Sequence, residues 1–177
     1  MKTSIPASIG LLAVVLACGR FGSVSNTNES TNQATSAQPA AAPSPVVRSE
    51  RGTPEEAKAM LAKAVEHYNA VGAQQAMADF TARKTPFFDR DLYVACIGFD
   101  QRIAANGGFP QYVGSPVSIL RDAHGHPLGS AILKAAETDG IVRYDWINPV
   151  SGKTEPKIGF FQKVGDHVCG VGACNPS

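Results

Sequence analysis

The sequence has little cysteine: four residues in a chain of 177. None of the spacings is CxxC or CxxCH, so a zinc ribbon, a thioredoxin-type site and attached c-haem are all unsupported. Net charge is also scarce, and a formal +1 with no basic run leaves no footprint for nucleic acid or for a polybasic membrane patch. No stretch approaches the ~18 consecutive apolar residues of a membrane-spanning helix. GxSxG, His-Glu-x-x-His and Walker motifs are missing, so neither an enzyme nor a bound cofactor is expected. Hydrophobic residues make up 44%, an ordinary share that permits a core.

What is present begins with Ile9–Ala17, an apolar run too short to span a bilayer but suited to a signal peptide. It ends at Val15-Leu-Ala-Cys18-Gly, which resembles a bacterial lipobox, with Cys18 as the lipidated residue. Residues 1–18 therefore read as an export signal, and simple secretion is the alternative. Residues 19–52 are polar, then rich in proline and alanine, and read as a disordered tether. The membrane is expected to be met only through the N-terminal lipid.

Folded structure is expected over 53–174. Thr53-Pro-Glu-Glu56 combines a capping residue, a proline at the first helical position and the capping-box spacing. Ala57, Met60, Leu61, Ala64, Val65 and Tyr68 then follow the helical period, and Gly72 ends or kinks the helix. A second helical piece is expected over 73–81. Leu92–Phe99 and Arg102–Asn106 read as a β-hairpin, Ser115–Leu120 as a short helix and Leu128–Glu137 as another. Three strands then close the chain: 141–147, 155–164 and 167–173. This order suits one antiparallel sheet with helices packed on it, an α+β domain.

The hairpin Asp139–Lys157 is the most informative stretch. Tyr144 and Trp146 stand two apart and share a face, and Asn148-Pro-Val-Ser-Gly152 supplies turn chemistry. A rigid hairpin presenting Tyr144, Trp146 and Lys157 suits a small anion, and it equally suits a packed sheet face. Alternation places Arg143 on the opposite side. His124-Gly-His126 invites a metal reading, but a third ligand such as Asp122 or His167 would have to be brought to it and nothing in the sequence does so; no metal site is assigned.

Asp91-Leu-Tyr-Val, Gly140-Ile-Val-Arg-Tyr-Asp-Trp-Ile-Asn-Pro, Gly152-Lys-Thr-Glu-Pro-Lys, Lys163-Val-Gly-Asp and Val171-Gly form a spaced set. Together they resemble the single Cache domain (type 2), an extracytoplasmic sensor module, over about residues 53–174. The resemblance implies a PAS-like fold with a long N-terminal helix and a five-stranded antiparallel sheet with short covering helices. It also implies a small-molecule ligand, often a short organic acid, bound between the sheet and its cover. Tyr144 and Trp146 would then wall the pocket, Lys157 would meet a carboxylate, and Phe160 and Tyr112 would complete the lining.

Family members commonly sit between two membrane spans, whereas here neither a second span nor an output domain follows in the sequence. The expectation is a periplasmic binding module acting through a separate receptor, kinase or transporter. A structural or interaction role in the cell envelope is the alternative. PAS-like order sets the last strand antiparallel to the first, which implies a Cys96–Cys169 bridge and leaves Cys174 free.

Overall fold

The computed structural model describes residues 51–174. The export signal expected over 1–18, its Cys18 and the tether expected up to residue 50 lie outside the described residues. Arg51 and Gly52, assigned to the tether by sequence, belong to the fold. Gly52 is buried, donates its N–H to Asp91 Oδ1 at 2.7 Å and lies so close to Leu92 that a Cβ would fall 2.2 Å from Cγ.

Helix α1 (Pro54–Val71) starts as its sequence dictates. Thr53 Oγ1 accepts from the Glu56 N–H at 3.2 Å, and Glu56 Oε2 accepts from the Thr53 N–H at 2.9 Å. Ala57, Met60, Leu61, Ala64 and Tyr68 form its buried stripe. Gly72, at φ 82°, closes α1 by donating to Tyr68 O, and α2 (Ala73–Thr81) begins immediately after it. Positive φ is a conformation glycine adopts without a Cβ penalty.

The strands are β1 (Phe88–Asp89), β2 (Leu92–Gly98), β3 (Ile103–Asn106), β4 (Ile141–Ile147), β5 (Thr154–Val164) and β6 (His167–Cys174). All pairings are antiparallel, in the order β1-β2-β6-β5-β4, with β3 also paired to β2. The sheet thus has six strands rather than the expected five. The additional one is the two-residue β1, too short to give a periodic signal. The expected hairpin and closing meander both form, and β6 inserts between β2 and β5.

Each face of the sheet carries its own core. On one, α1 and α2 cover Leu92, Val94, Cys96, Phe160, Cys169, Val171 and Ala173. A disulfide joins Cys96 to Cys169, which stand directly opposite on β2 and β6, and Cys174 is a free, buried thiol. The other face is covered by two 3₁₀ turns, Pro110–Tyr112 and Val117–Ile119, and by α3 (Leu128–Ala135). Ile97, Ile103, Val117, Leu120, Leu128, Ile132 and Val168 form its core. Helix α3 stops two residues short of the expected Glu137, since Glu137 and Thr138 already turn the chain back. Among the described residues no helix is long and apolar enough to cross a membrane.

Candidate functional site

The cavity lies on the face away from α1, between the sheet and the α3 cover. Its lining includes Tyr93, Tyr144, Trp146, Phe161, Leu128 and Ile132, and its volume is about 50 Å³. Three glycines on neighbouring strands make this hollow possible. A Cβ on Gly170 would stand 2.1 Å from Phe161 Cδ1, and one on Gly172 2.5 Å from the Tyr144 hydroxyl. A Cβ on Gly159 would meet Phe161 at 2.5 Å and Tyr144 at 3.0 Å. With hydrogen in these places, the two rings lie flat across β5 and β6 and leave room above them.

Register brings the predicted hairpin residues together. Tyr144 pairs directly with Lys157, and Trp146 with Glu155, so all four share the cavity face. Tyr112 sits in the cover rather than in the cavity wall. It stacks on Phe109 at 5.7 Å, and Phe109 meets Trp146 edge-on at 6.0 Å.

Phe160 does not join them. It lies on the opposite face, buried in the α1 core with Lys58 Nζ 4.8 Å above its ring. Its neighbour Phe161 provides the aromatic wall instead, because only even offsets from Lys157 along β5 return to the cavity face.

Lys157 is 2% exposed, and its Nζ has no hydrogen-bond partner among the described residues. The ammonium group lies 5.2 Å from the centroid of the Tyr93 ring. Burial lowers its pKa below the ordinary lysine value, against the opposing pull of Cys174, Asp91 and Glu155. Burial likewise raises the phenols of Tyr93 and Tyr144, each reinforced by its neighbours, so both remain neutral donors.

A polar cluster backs this amine at the rim of the sheet. Asn148 Nδ2 reaches Asp91 Oδ2 at 3.4 Å, Glu155 Oε2 at 3.1 Å and Cys174 Sγ at 3.4 Å. Glu155 also accepts from Arg51 at 2.8 Å and from the Ser151 hydroxyl at 3.2 Å. Burial alone would raise the Glu155 pKa, but hydrogen bonds from Cys174, Asn148 and Ser151 and the charge of Arg51 outweigh it and hold the carboxyl low. The Cys174 thiol is pushed up to about 12, chiefly by burial and further by Glu155 and Asp91, while Lys157 pulls it down.

A shallower cleft on the outer side also reaches Tyr144 and Lys157, past Asp122, His124, Arg143 and Asp145. His124 Nε2 meets Asp145 Oδ2 at 2.6 Å, and His126 Nδ1 meets Asp122 Oδ2 at 2.9 Å. Each histidine is thus tied to its own carboxylate, and no metal-binding group of three ligands forms among the described residues.

Asp91, Tyr93, Glu155 and Gly172 fall within the motifs that carry the family resemblance but receive no site role from sequence, and Phe161, Gly159 and Gly170 are not singled out at all. The signal that was available is the small-residue alternation Gly170-Val-Gly172, which marks one sheet face as open.

This architecture, an antiparallel sheet with a long helix on one face and a covered cavity on the other, is that of the PAS-like sensor domains. The model of the single Cache domain 2 family matches residues 46–173, well over half of the chain, and the protein belongs to that family. Solved structures agree on the fold. The crystal structure of a methyl-accepting chemotaxis protein from Vibrio parahaemolyticus is 21% identical, with a TM-score of 0.59, covering 68% of this chain and 86% of that one. The periplasmic sensor domain of a chemotaxis protein is 24% identical, with a TM-score of 0.55, over 69% of this chain and 96% of its own. A Cache chemosensory domain described for carboxylic acid recognition is 16% identical, with a TM-score of 0.52, over 69% and 88%. No curated protein matches the chain.

Proposed function

We propose that this protein is an exported small-molecule-binding module that recognises a small organic acid. The observation that carries the reading is Lys157: a buried amine without a hydrogen-bond partner, set beside an aromatic cavity. Burying an ionisable group unpaired is costly, and fold stability alone gives no reason to retain it. A ligand carboxylate would supply the missing acceptor, with Tyr93, Tyr144 and Trp146 offering O–H and N–H donors around it. Carboxylic acid recognition in a Cache chemosensory domain of similar fold supports the ligand class.

Cache domains are sensor modules, and this supports binding rather than catalysis. The apolar run before Cys18 supports export and attachment through a lipid. The bound state would be read by a separate receptor, kinase or transporter protein.

The test is thermal denaturation with a panel of small mono- and dicarboxylates. At least one monocarboxylate should raise the melting temperature, and the shift should vanish in Lys157→Met and shrink in Trp146→Ala. Ligand-free Lys157→Met should melt at or above the wild-type temperature, since an apolar chain replaces an unpaired amine. No shift with any acid sinks the proposal. It would turn attention to an envelope-interaction role, for which the exposed Ile119 and Ile147 beside Tyr112 and Trp146 offer a surface.

A further inference from the structure

We infer that a carboxylate enters this site together with a proton, which is delivered to the Lys157 amine. The inference rests on the binding reading above and adds how the charge at the site changes when the ligand arrives. It starts from a cluster of groups rather than from lysine alone. Lys157 Nζ is enclosed by Tyr93 on β2, Tyr144 on β4 and Cys174 on β6, with the Asp91 and Glu155 carboxylates behind them.

The two carboxylates are already engaged. Asp91 accepts from the Gly52 N–H at 2.7 Å and from Asn148, and Glu155 is matched by Arg51, Ser151 and Asn148. Neither forms an ion pair with Lys157 Nζ, which has no polar partner. Tyr93, Tyr144 and Cys174 all have raised pKa values, chiefly through burial, and so present neutral groups to the amine. In the outer cleft, Asp145 is tied to His124 and Asp122 to His126, while Arg143 is exposed. The ligand-free site therefore disfavours the ammonium form of Lys157, as its lowered pKa also indicates.

A neutral amine cannot pair with an anion. A carboxylate that settles against Nζ supplies the opposite charge that favours the ammonium, so the amine takes up a proton from solvent as the ligand binds. The proton balance is one amine, one carboxylate and one solvent proton going to one ion pair, with no covalent bond formed to the ligand. Above the ligand-free pKa of Lys157, affinity should fall by about tenfold per pH unit, because each complex then requires about one proton from solvent. Below that pKa the amine is already charged and affinity should level off.

The experiment is isothermal titration calorimetry of the exported chain with acetate and propionate. It is run from pH 6 to 10.5, the ordinary lysine value, in pairs of buffers with different ionisation enthalpies. The slope of observed heat against buffer enthalpy gives the protons taken up, expected to rise with pH toward one as the ligand-free amine loses its proton. His124→Gln, which removes the imidazole of the outer cleft, should leave that uptake unchanged. Lys157→Arg holds a permanent charge, so residual binding should show no buffer dependence; where the larger side chain prevents folding, Lys157→Met should abolish binding. Heat that is independent of buffer across the range overturns this inference and leaves the binding reading intact. Absence of any binding heat, with no thermal shift from the acid panel, overturns both.

Discussion

Tyr144 on β4 pairs with Lys157, yet its ring leans over the neighbouring register position, across Gly159 of β5, to set its hydroxyl above Gly172 on β6. The Tyr144 hydroxyl lies 2.5 Å from where a Cβ of residue 172 would stand. The cavity therefore depends on a hydrogen atom in the floor of the sheet. Gly172→Ala should push the tyrosine ring into the hollow or out of its rotamer, at a cost of about 1–3 kcal/mol. Thermal denaturation should show the loss, and carboxylate-induced stabilisation should fall with it. An alanine variant that binds and melts like the wild type would show that the floor has slack.

Cys174 tests the same region by chemistry. Its thiol is buried and its pKa is pushed up to about 12, so little thiolate exists at neutral pH. Iodoacetamide at pH 7.5 should leave Cys174 unmodified in the folded protein and label it fully in denaturant. Peptide mapping by mass spectrometry reads the difference, and rapid labelling of the native protein would contradict the burial.

The Cys96–Cys169 bridge links positions 73 residues apart and ties β2 to β6 beneath α1. Cross-links that close long loops stabilise chiefly by restricting the unfolded chain, so Cys96→Ala/Cys169→Ala should lose about 2–5 kcal/mol. Urea denaturation of the oxidised, reduced and double-alanine forms checks this. Equal midpoints for all three would count against it.

Asp79 gives a pH signature remote from the cavity. Hydrogen bonds from Lys84 and His67 hold its carboxyl at about 2, below the ordinary 3.8, despite the opposing effect of burial. A depressed folded-state value means that the stabilisation is present above the unfolded pKa and is lost as pH falls through the folded one. The wild-type melting temperature should therefore drop between pH 4 and 2 more steeply than that of Asp79→Asn. Parallel curves for the two proteins would remove Asp79 from the acid response.

Much of this fold was legible because it is local. Thr53, Pro54 and Glu56 cap α1 through contacts within four residues, and a single turn separates Tyr144 from its cross-strand partner Lys157. Period-two alternation then suffices to put Tyr144, Trp146 and Lys157 on one face. The same rule, carried along β5, separates Phe160 from Phe161. Phe160 stands at an odd offset from Lys157, so the choice of the cavity aromatic could have been read without coordinates.

The helix start, the hairpins, the α+β order and the shared face of the three hairpin residues follow from backbone periodicity and short-range turns, which local sequence specifies. The remainder of the site was set by long-range strand pairing. The insertion of β6 between β2 and β5 carries Tyr93 over Lys157 and lays Gly170 and Gly172 beneath the rings. It also gathers Asp91, Asn148, Glu155 and Cys174 behind the amine. Those neighbours come from strands far apart in the chain. Their meeting depends on non-local register and on burial, which composition and spacing do not encode.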